Sequence, residues 1–269
     1  MPSERLRRGY GGGAGTEPPT LGENMRALRI LLILVVILGG LFVIADRVAV
    51  HFAEGEVADR VRARENLASS PDVDIKGFPF LTQVASGSLD DVELGIASYP
   101  VPTGTEGRTI RIDDLKADLK DVKFSGDYSS ATARTGTGSA TIAYDQLMQA
   151  AKTEPTELAP GITARITGLG DGGDGKIKVS VKLGIPALGI QRTIPVLSSL
   201  DVKGGKVSVH ADALPVIAGA NLADGTFRQI TDFQQALDKL PGGIAVSSVR
   251  ATADGVRIGV TGSDLNLAG

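Results

Sequence analysis

The sequence predicts an α+β protein, in which an N-terminal transmembrane helix precedes one domain with a long, curved, mostly antiparallel sheet wrapped around helices. Three observations support this prediction. An unbroken apolar run extends from Ile30 to Ala45. Behind it, apolar and polar residues alternate in many short segments, which is typical of strands that bury one face. Few segments have helical periodicity, so a sheet that curls around a helix is the economical way to cover the buried faces.

The apolar run divides the chain into three parts. Residues 1–24 are predicted to be a disordered cytoplasmic tail, because their glycine-rich tract cannot bury enough apolar area to become ordered. Residues 25–45 are predicted to be a transmembrane signal anchor, or else a signal peptide that is cleaved after Ala45. The run spans about 24 Å as a helix, slightly less than the roughly 30 Å hydrocarbon core of a bilayer. Residues 46–269 are predicted to form one extracytoplasmic domain.

Arginines before the run predict its orientation. The positive-inside rule keeps their end of the chain in the cytoplasm and places the domain outside, so the predicted location is the cytoplasmic membrane, crossed once. The start of the protein is either Met1 or Met25, because Met25 directly precedes the arginine-flanked run. The chain has no Cys, which excludes both a lipidated cysteine and a disulfide framework. The arginines are Arg5, Arg7, Arg8, Arg26 and Arg29.

Helical periodicity and turn residues predict three helices in the domain. The first covers Asp46 to Leu67 and is stopped by Ser69-Ser70-Pro71. The second runs from Tyr144 to about Lys152, with Leu147 facing inward. The third covers Gln229–Leu240, where apolar residues form one stripe before a Pro-Gly-Gly sequence ends it.

Alternating segments predict the strands, and they centre on residues 92–96, 110–119, 177–183, 207–209 and 256–260. Asp113-Asp114 interrupts the alternation and predicts a bulge. Asp254-Gly255 predicts a hairpin turn. The segment Gly184–Leu200 carries one charge, Arg192. It is either a strand or core-crossing segment, or an exposed lid or membrane-touching edge.

Composition and motifs exclude several classes of function. Net charge is −3, aromatic residues are 4% of the chain and Trp is absent, which argues against nucleic-acid binding and sugar stacking. The glycine pattern at 168–173 precedes a strand and not a helix, so it predicts a hairpin loop and not a phosphate site. His51 and His210 have no ligand partners at metal-site spacing. No catalytic residue, metal site or cofactor is predicted, and the protein is not expected to be an enzyme.

Three motifs carry a resemblance to a known family. DVDIKGFPFLTQ at 72–83, GSLDDV at 87–92 and LPGGI at 240–244 resemble the LmeA-like proteins, which are actinobacterial cell-envelope proteins of the lipomannan elongation factor type. The resemblance covers Val48 to Leu267. It implies a lipid-cradling fold related to tubular lipid-binding domains, and phospholipid binding in the envelope. The best-known members support lipoglycan biosynthesis on a membrane-anchored glycolipid.

The resemblance, together with the strand pattern, implies a membrane-anchored protein that holds or presents a phospholipid or a lipid-linked glycan in cell-envelope biogenesis. Its expected partners are membrane phospholipid or glycolipid, the cytoplasmic membrane and envelope glycosyltransferases. The alternative is a non-enzymatic structural or interaction module that scaffolds envelope enzymes. A filled interior without lipid would distinguish this alternative from the lipid-binding function.

Apolar positions in two segments are the expected lipid contacts, namely Phe78, Phe80, Leu81, Ile185, Leu188 and Ile194. The first segment is either a core anchor that packs the helix on the sheet or the mouth of a pocket. Expected headgroup contacts are Lys178, Lys182 and Arg192. The lysines either form an ordinary solvated sheet face or meet anionic headgroups.

Overall fold

The computed structural model describes residues 21–102, 109–127, 130–150, 154–203, 206–212, 233–236 and 243–268. Its contacts separate the chain between Ala45 and Asp46. Helix α1 covers Leu21–Arg64, so it includes the last four residues of the predicted tail, and residues 1–20 of that tail lie outside the described part. Within that part, α1 is the helix long and apolar enough to cross a membrane.

The other elements follow in chain order. They are β1 Asp72–Lys76, α2 Phe80–Ser86, β2 Ser88–Pro102, β3 Thr109–Phe124, β4 Ala131–Ile142, α3 Tyr144–Ala150, β5 Thr156–Ala159, β6 Ile162–Asp171, β7 Ile177–Ile185, a 3₁₀ turn Pro186–Leu188, β8 Ile190–Lys203, β9 Lys206–Ala211, β10 Phe233–Ala236, β11 Ile244–Thr252 and β12 Gly255–Ala268.

The described strands form two six-stranded antiparallel sheets. The first has the order β1-β2-β3-β4-β12-β11 and the second the order β10-β9-β8-β7-β6-β5. A backbone hydrogen bond from Ala251 N–H in β11 to the carbonyl of Gly175 in the β6–β7 turn links them. The predicted class, α+β with mostly antiparallel strands and few helices, is therefore confirmed, with the strands divided between two sheets.

Strand alternation places the apolar residues as predicted. In β7 the side chains of Ile177, Val179, Val181 and Leu183 are buried, whereas the alternate positions are more exposed. The predicted bulge is present: the register between β3 and β4 shifts after Asp113, and Asp114 has a φ of 50°. Such a bulge lets a strand change the face on which its apolar residues lie.

Two apolar clusters form the core of the domain. One joins the inner face of β6–β9 to α3, β11 and β12, with Val181 and Val196 almost completely buried. The other joins the second half of α1 and α2 to the first sheet, through Val50, Phe80 and Leu265. Each helix of the domain thus covers part of a one-sided sheet, as the amphipathic pattern requires.

The predicted helix over Gln229–Leu240 is wrong for Phe233–Ala236, which forms β10 and pairs with β9. Pairing with β9 gives this segment backbone hydrogen bonds that its local helical periodicity does not reveal. The rest of that predicted helix lies outside the described residues. The helix predicted from Tyr144 is confirmed as far as Ala150. The glycine pattern at 168–173 was predicted to be a hairpin loop; its first four residues belong to β6, and Gly172 and Gly173 begin the β6–β7 turn.

Candidate functional site

The GFPFL motif forms a corner between β1 and α2, at Gly77–Leu81. Gly77 has a φ of 96°, and a Cβ there would collide with the side-chain amide of Gln83. The peptide bond between Phe78 and Pro79 is cis. The corner therefore needs glycine at its first position, because a side chain would meet both backbone strain and the Gln83 amide.

Asp46 holds this corner against the first turn of the domain. Its carboxylate accepts a hydrogen bond from Leu81 N–H at 2.8 Å, in the first turn of α2, and one from Arg47 at 2.6 Å. The Asp46 side chain is fully buried. Burial raises the pKa of the carboxyl, but hydrogen bonds from the Leu81 N–H, the Arg47 guanidinium and the Phe80 N–H outweigh it and leave the pKa below its ordinary value. Asp46 thus caps α2 from 35 residues away.

The corner separates the three predicted contacts of the motif. Phe80 is buried in the cluster beneath the first sheet, where it acts as the core anchor that one interpretation of the motif predicted. Phe78 is 57% exposed and Leu81 is 37% exposed. The guanidinium of Arg47 lies 5.3 Å from the centroid of the Phe78 ring, in a cation–π contact. The motif is therefore a core anchor at one residue and a surface feature at its neighbours.

The β7–β8 hairpin carries the second group of predicted contacts. Residues directly opposite each other in an antiparallel pair point to the same face of the sheet. Val181 pairs with Ile194, Leu183 with Arg192, and Ile185 with Ile190. Because Val181 and Leu183 face the core, Arg192, Ile194 and the two residues beside the turn lie on that same inner face.

The inner face of this hairpin becomes progressively exposed toward its tip. Val181 is fully buried and Leu183 is 6% exposed, whereas Ile190 is 50% exposed and Leu188 in the turn is 68% exposed. Ile185 and Ile194 are half-buried. The Gly184–Leu200 segment therefore pairs as a strand, one of the two outcomes that the sequence left open, while its tip is an exposed apolar loop. An apolar stripe thus leaves the core and reaches solvent beside Arg192.

Lys178 and Lys182 lie on the opposite face of β7. They pair with Leu197 and Thr193 of β8 and with Gly170 and Arg165 of β6. The structure therefore does not bring them together with Arg192, although all three were predicted to contact a headgroup. Arg165 joins the lysines on the outer face, and sequence reasoning missed it because its neighbours alternate less clearly than those in β7.

Carboxylates on the outer face of the first sheet meet lysines and not an open cation site. Oxygens of Asp91, Glu93 and Asp118 lie within 4.8 Å of one another. Lys120 Nζ lies 2.7 Å from Asp91 Oδ2 and 3.1 Å from Asp118 Oδ1, and Lys76 Nζ lies 3.5 Å from Glu93 Oε2. These lysines supply the positive charge that a metal would provide, so the cluster is interpreted as a charge-paired sheet surface.

Sequence reasoning did not identify Asp46 and Arg47 as part of a site. The available signal was their position, because they are the first charged residues after the apolar run. Their partners lie about 30 residues later, at Gly77, Phe78 and Leu81, and no local pattern reveals such a contact.

A family model described as LmeA-like phospholipid-binding matches residues 44–261, a range that includes both the motif corner and the β7–β8 hairpin. No curated protein and no solved structure matches the chain.

Proposed function

The chain belongs to the LmeA-like phospholipid-binding family, and we propose from this premise that its β7–β8 hairpin holds an acyl chain of a phospholipid. One observation carries the proposal: the apolar inner face of the hairpin leaves the core and carries a cation, Arg192, between Ile190 and Ile194. An acyl chain laid along Ile185, Ile190 and Ile194 would cover apolar surface that is now exposed. The phosphate would then meet the guanidinium.

The physical terms favour this placement. Covering the remaining exposed area of Leu188 and Ile190 would stabilise a complex by about 1–3 kcal/mol in all. A guanidinium binds phosphate through two parallel N–H···O bonds, which a lysine ammonium does not provide. In this arrangement Arg192 has the geometry suited to a headgroup contact. Lys178 and Lys182, on the other face, would meet headgroups only of a second lipid or of a membrane surface.

The wider role follows from the family and the apolar helix. The protein would be anchored in the cytoplasmic membrane by residues 25–45, with the arginine-flanked end inside and the domain outside. It would hold or present a phospholipid or a lipid-linked glycan during envelope biogenesis, next to the glycosyltransferases that use such lipids. It would carry out no bond chemistry of its own.

Photocrosslinking of a lipid to the full chain tests the proposal. The chain is reconstituted in vesicles of phosphatidylcholine and phosphatidylglycerol that contain a trace of phospholipid with a diazirine in its acyl chain. After irradiation, mass spectrometry identifies the labelled peptides. We expect label in residues 177–196 in addition to the apolar run at 25–45.

Two exposed cations on opposite faces provide the matched variants. Arg192→Gln should reduce labelling of the hairpin about fivefold, because one charge-assisted contact is lost. Lys178→Gln should leave it unchanged. The reverse result would move the headgroup to the outer face. Label confined to residues 25–45 would contradict lipid holding and favour the scaffolding module.

A further inference from the structure

Exposed apolar side chains of the domain concentrate at its first helical turns and at the motif corner. Nine large hydrophobic residues are exposed among the described residues after Ala45. Five of them lie either in the part of α1 that belongs to the domain or in the motif corner, namely Val48, Phe52, Val57, Phe78 and Leu81. Phe52, at 75%, and Phe78, at 57%, are far more exposed than a folded domain needs its scarce aromatic residues to be.

Two contacts fix the corner beside the start of the domain. Asp46 accepts the Leu81 N–H, and Arg47 donates to the Gly77 carbonyl at 3.4 Å. Asp46 is joined by a peptide bond to Ala45, the last residue of the apolar run. The corner is therefore held against Asp46 and Arg47, the two residues that directly follow the apolar run in the sequence.

The helical repeat spreads the apolar surface around α1. Val48 and Phe52 are four residues apart and lie on one side of the helix. Arg47 and the Phe78 ring lie on another side, about 100° away from Val48. At 1.5 Å of rise per residue, Val48 follows Ala45 by about 4.5 Å along the helix axis and Phe52 follows it by about 10.5 Å. One headgroup layer is roughly 5–8 Å thick, so Val48 would lie within it and Phe52 just beyond it.

Charges at this level do not oppose contact with a bilayer. Each carboxylate between residues 46 and 56 already has a partner: Asp46 bonds Leu81 and Arg47, Glu54 accepts Ile75 N–H, and Glu56 pairs with Arg60. The Arg47 side chain is 48% exposed, and its guanidinium lies over the Phe78 ring. Only its Nη2 group donates in the bonds to Asp46 and Gly77, so its other N–H groups can reach phosphate oxygens.

We infer that Phe52, Phe78 and Arg47 form an interfacial belt that sits at the level of the lipid headgroups of the membrane spanned by residues 25–45. The inference rests on the proposed anchoring and extends it, because the belt would hold the motif corner at the bilayer surface. Aromatic residues at this depth, with a snorkelling arginine, are typical of membrane interfaces. The exposed face of the GFPFL motif would then contact the bilayer itself.

Depth-dependent fluorescence quenching tests this inference on the full chain. The chain has no Cys, so a single introduced cysteine can be labelled without removing others. Phe52→Cys and Phe78→Cys each receive a small environment-sensitive dye. The labelled chains are reconstituted in vesicles of phosphatidylcholine and phosphatidylglycerol whose acyl chains are brominated near the headgroup.

Leu267→Cys is the matched control, because Leu267 is also an exposed hydrophobic residue, at 38%, but lies in β12. Quenching at positions 52 and 78 should be at least about twofold stronger than at 267, as expected for interfacial side chains. Equal quenching at the three positions would overturn the belt. Phe52 lies on an exposed helix face, so its substitution leaves the motif corner intact and the test does not depend on the Phe78 variant alone.

A fourth label separates failure of the belt from failure of the anchor. Val35→Cys places the dye in the middle of the apolar run. Strong quenching there by lipids brominated deep in the acyl chain, without quenching at 52 and 78, would overturn the belt and leave the anchor standing. Absence of quenching at all four positions would overturn both.

Discussion

Gly255 follows the turn between β11 and β12, where a side chain would meet the backbone of a neighbouring strand. A Cβ there would lie 2.8 Å from the carbonyl carbon of Ile142 and 2.9 Å from Cα of Ala143. Backbone atoms cannot yield as a flexible side chain does, so Gly255→Ala should destabilise the domain by about 1–3 kcal/mol. Urea unfolding of the full chain in detergent measures the change.

Gly55→Ala is the matched control for that substitution. Gly55 lies on the exposed side of α1, and nothing is within 4 Å of a Cβ built there. The same chemical change should therefore stabilise the helix by up to about 1 kcal/mol. If both variants behaved alike, crowding at Gly255 would not explain its requirement for glycine.

At single residues, sequence reasoning found turns and missed distant partners. Asp254-Gly255 predicts a hairpin and Asp113-Asp114 predicts a bulge, because glycine and aspartate favour the local backbone conformations that turns and bulges require. The burial of Phe80 beside an exposed Phe78 could not be predicted, since both belong to one short apolar motif. Phe80 is buried among residues distant in the sequence, such as Val50 and Leu265, and the corner that carries it is bonded to Asp46, 35 residues before Leu81.

Among the elements, strands with a buried face were the most predictable. β7 alternates cleanly, so its inner and outer faces follow from the sequence. The face of Arg192 was not predictable, because it depends on the register across the Pro186–Leu188 turn. β10 was mistaken for a helix because its apolar residues fit a helical stripe, while its pairing with β9 is a tertiary contact.

An ion pair links the strands of the second sheet and gives it a pH dependence. Asp212 follows β9, with its carboxylate 2.7 Å from Lys176 Nζ and 2.5 Å from Ser199 Oγ in β8. The Lys176 ammonium, and then the Ser199 hydroxyl, hold the pKa of Asp212 below its ordinary value. A carboxyl whose folded pKa is lowered contributes stability that is present above its unfolded pKa, about 3.9, and is lost as the pH falls through the lower folded value.

Asp212→Asn should therefore lower stability at pH 7, and its difference from the unsubstituted chain should shrink below about pH 4. Urea unfolding midpoints measured at several pH values from 7 down to about 2 check this expectation. Asp201→Asn, at an exposed position of β8, serves as the control and should show a smaller difference at pH 7. A difference for Asp212→Asn that stayed constant with pH would contradict the ion pair.

For the whole molecule, the two apolar clusters have different consequences for function. The cluster under the first sheet is closed by α1, α2 and Phe80, so it explains stability. The cluster against the second sheet continues into the exposed stripe of the β7–β8 hairpin, where a ligand could extend the core. The residues of this stripe do not identify a ligand by themselves. Membership of a phospholipid-binding family indicates that the ligand would be a phospholipid.

Removal of bound lipid should consequently destabilise the whole domain. A ligand that binds only the folded state at about 100 times its Kd adds about 2.7 kcal/mol. In a domain of this size that raises Tm by about 5–10 °C. The full chain, stripped of lipid in detergent and then supplied with phospholipid, should recover this difference in thermal unfolding. Arg192→Gln should recover less of it than Lys178→Gln, because Arg192 would contact the phosphate and Lys178 lies on the opposite face. Lipid that merely surrounds the apolar run depends on neither cation, so the two variants would then recover equally. A Tm unaffected by phospholipid would instead mean that the interior is complete without a ligand, as expected for a scaffolding module.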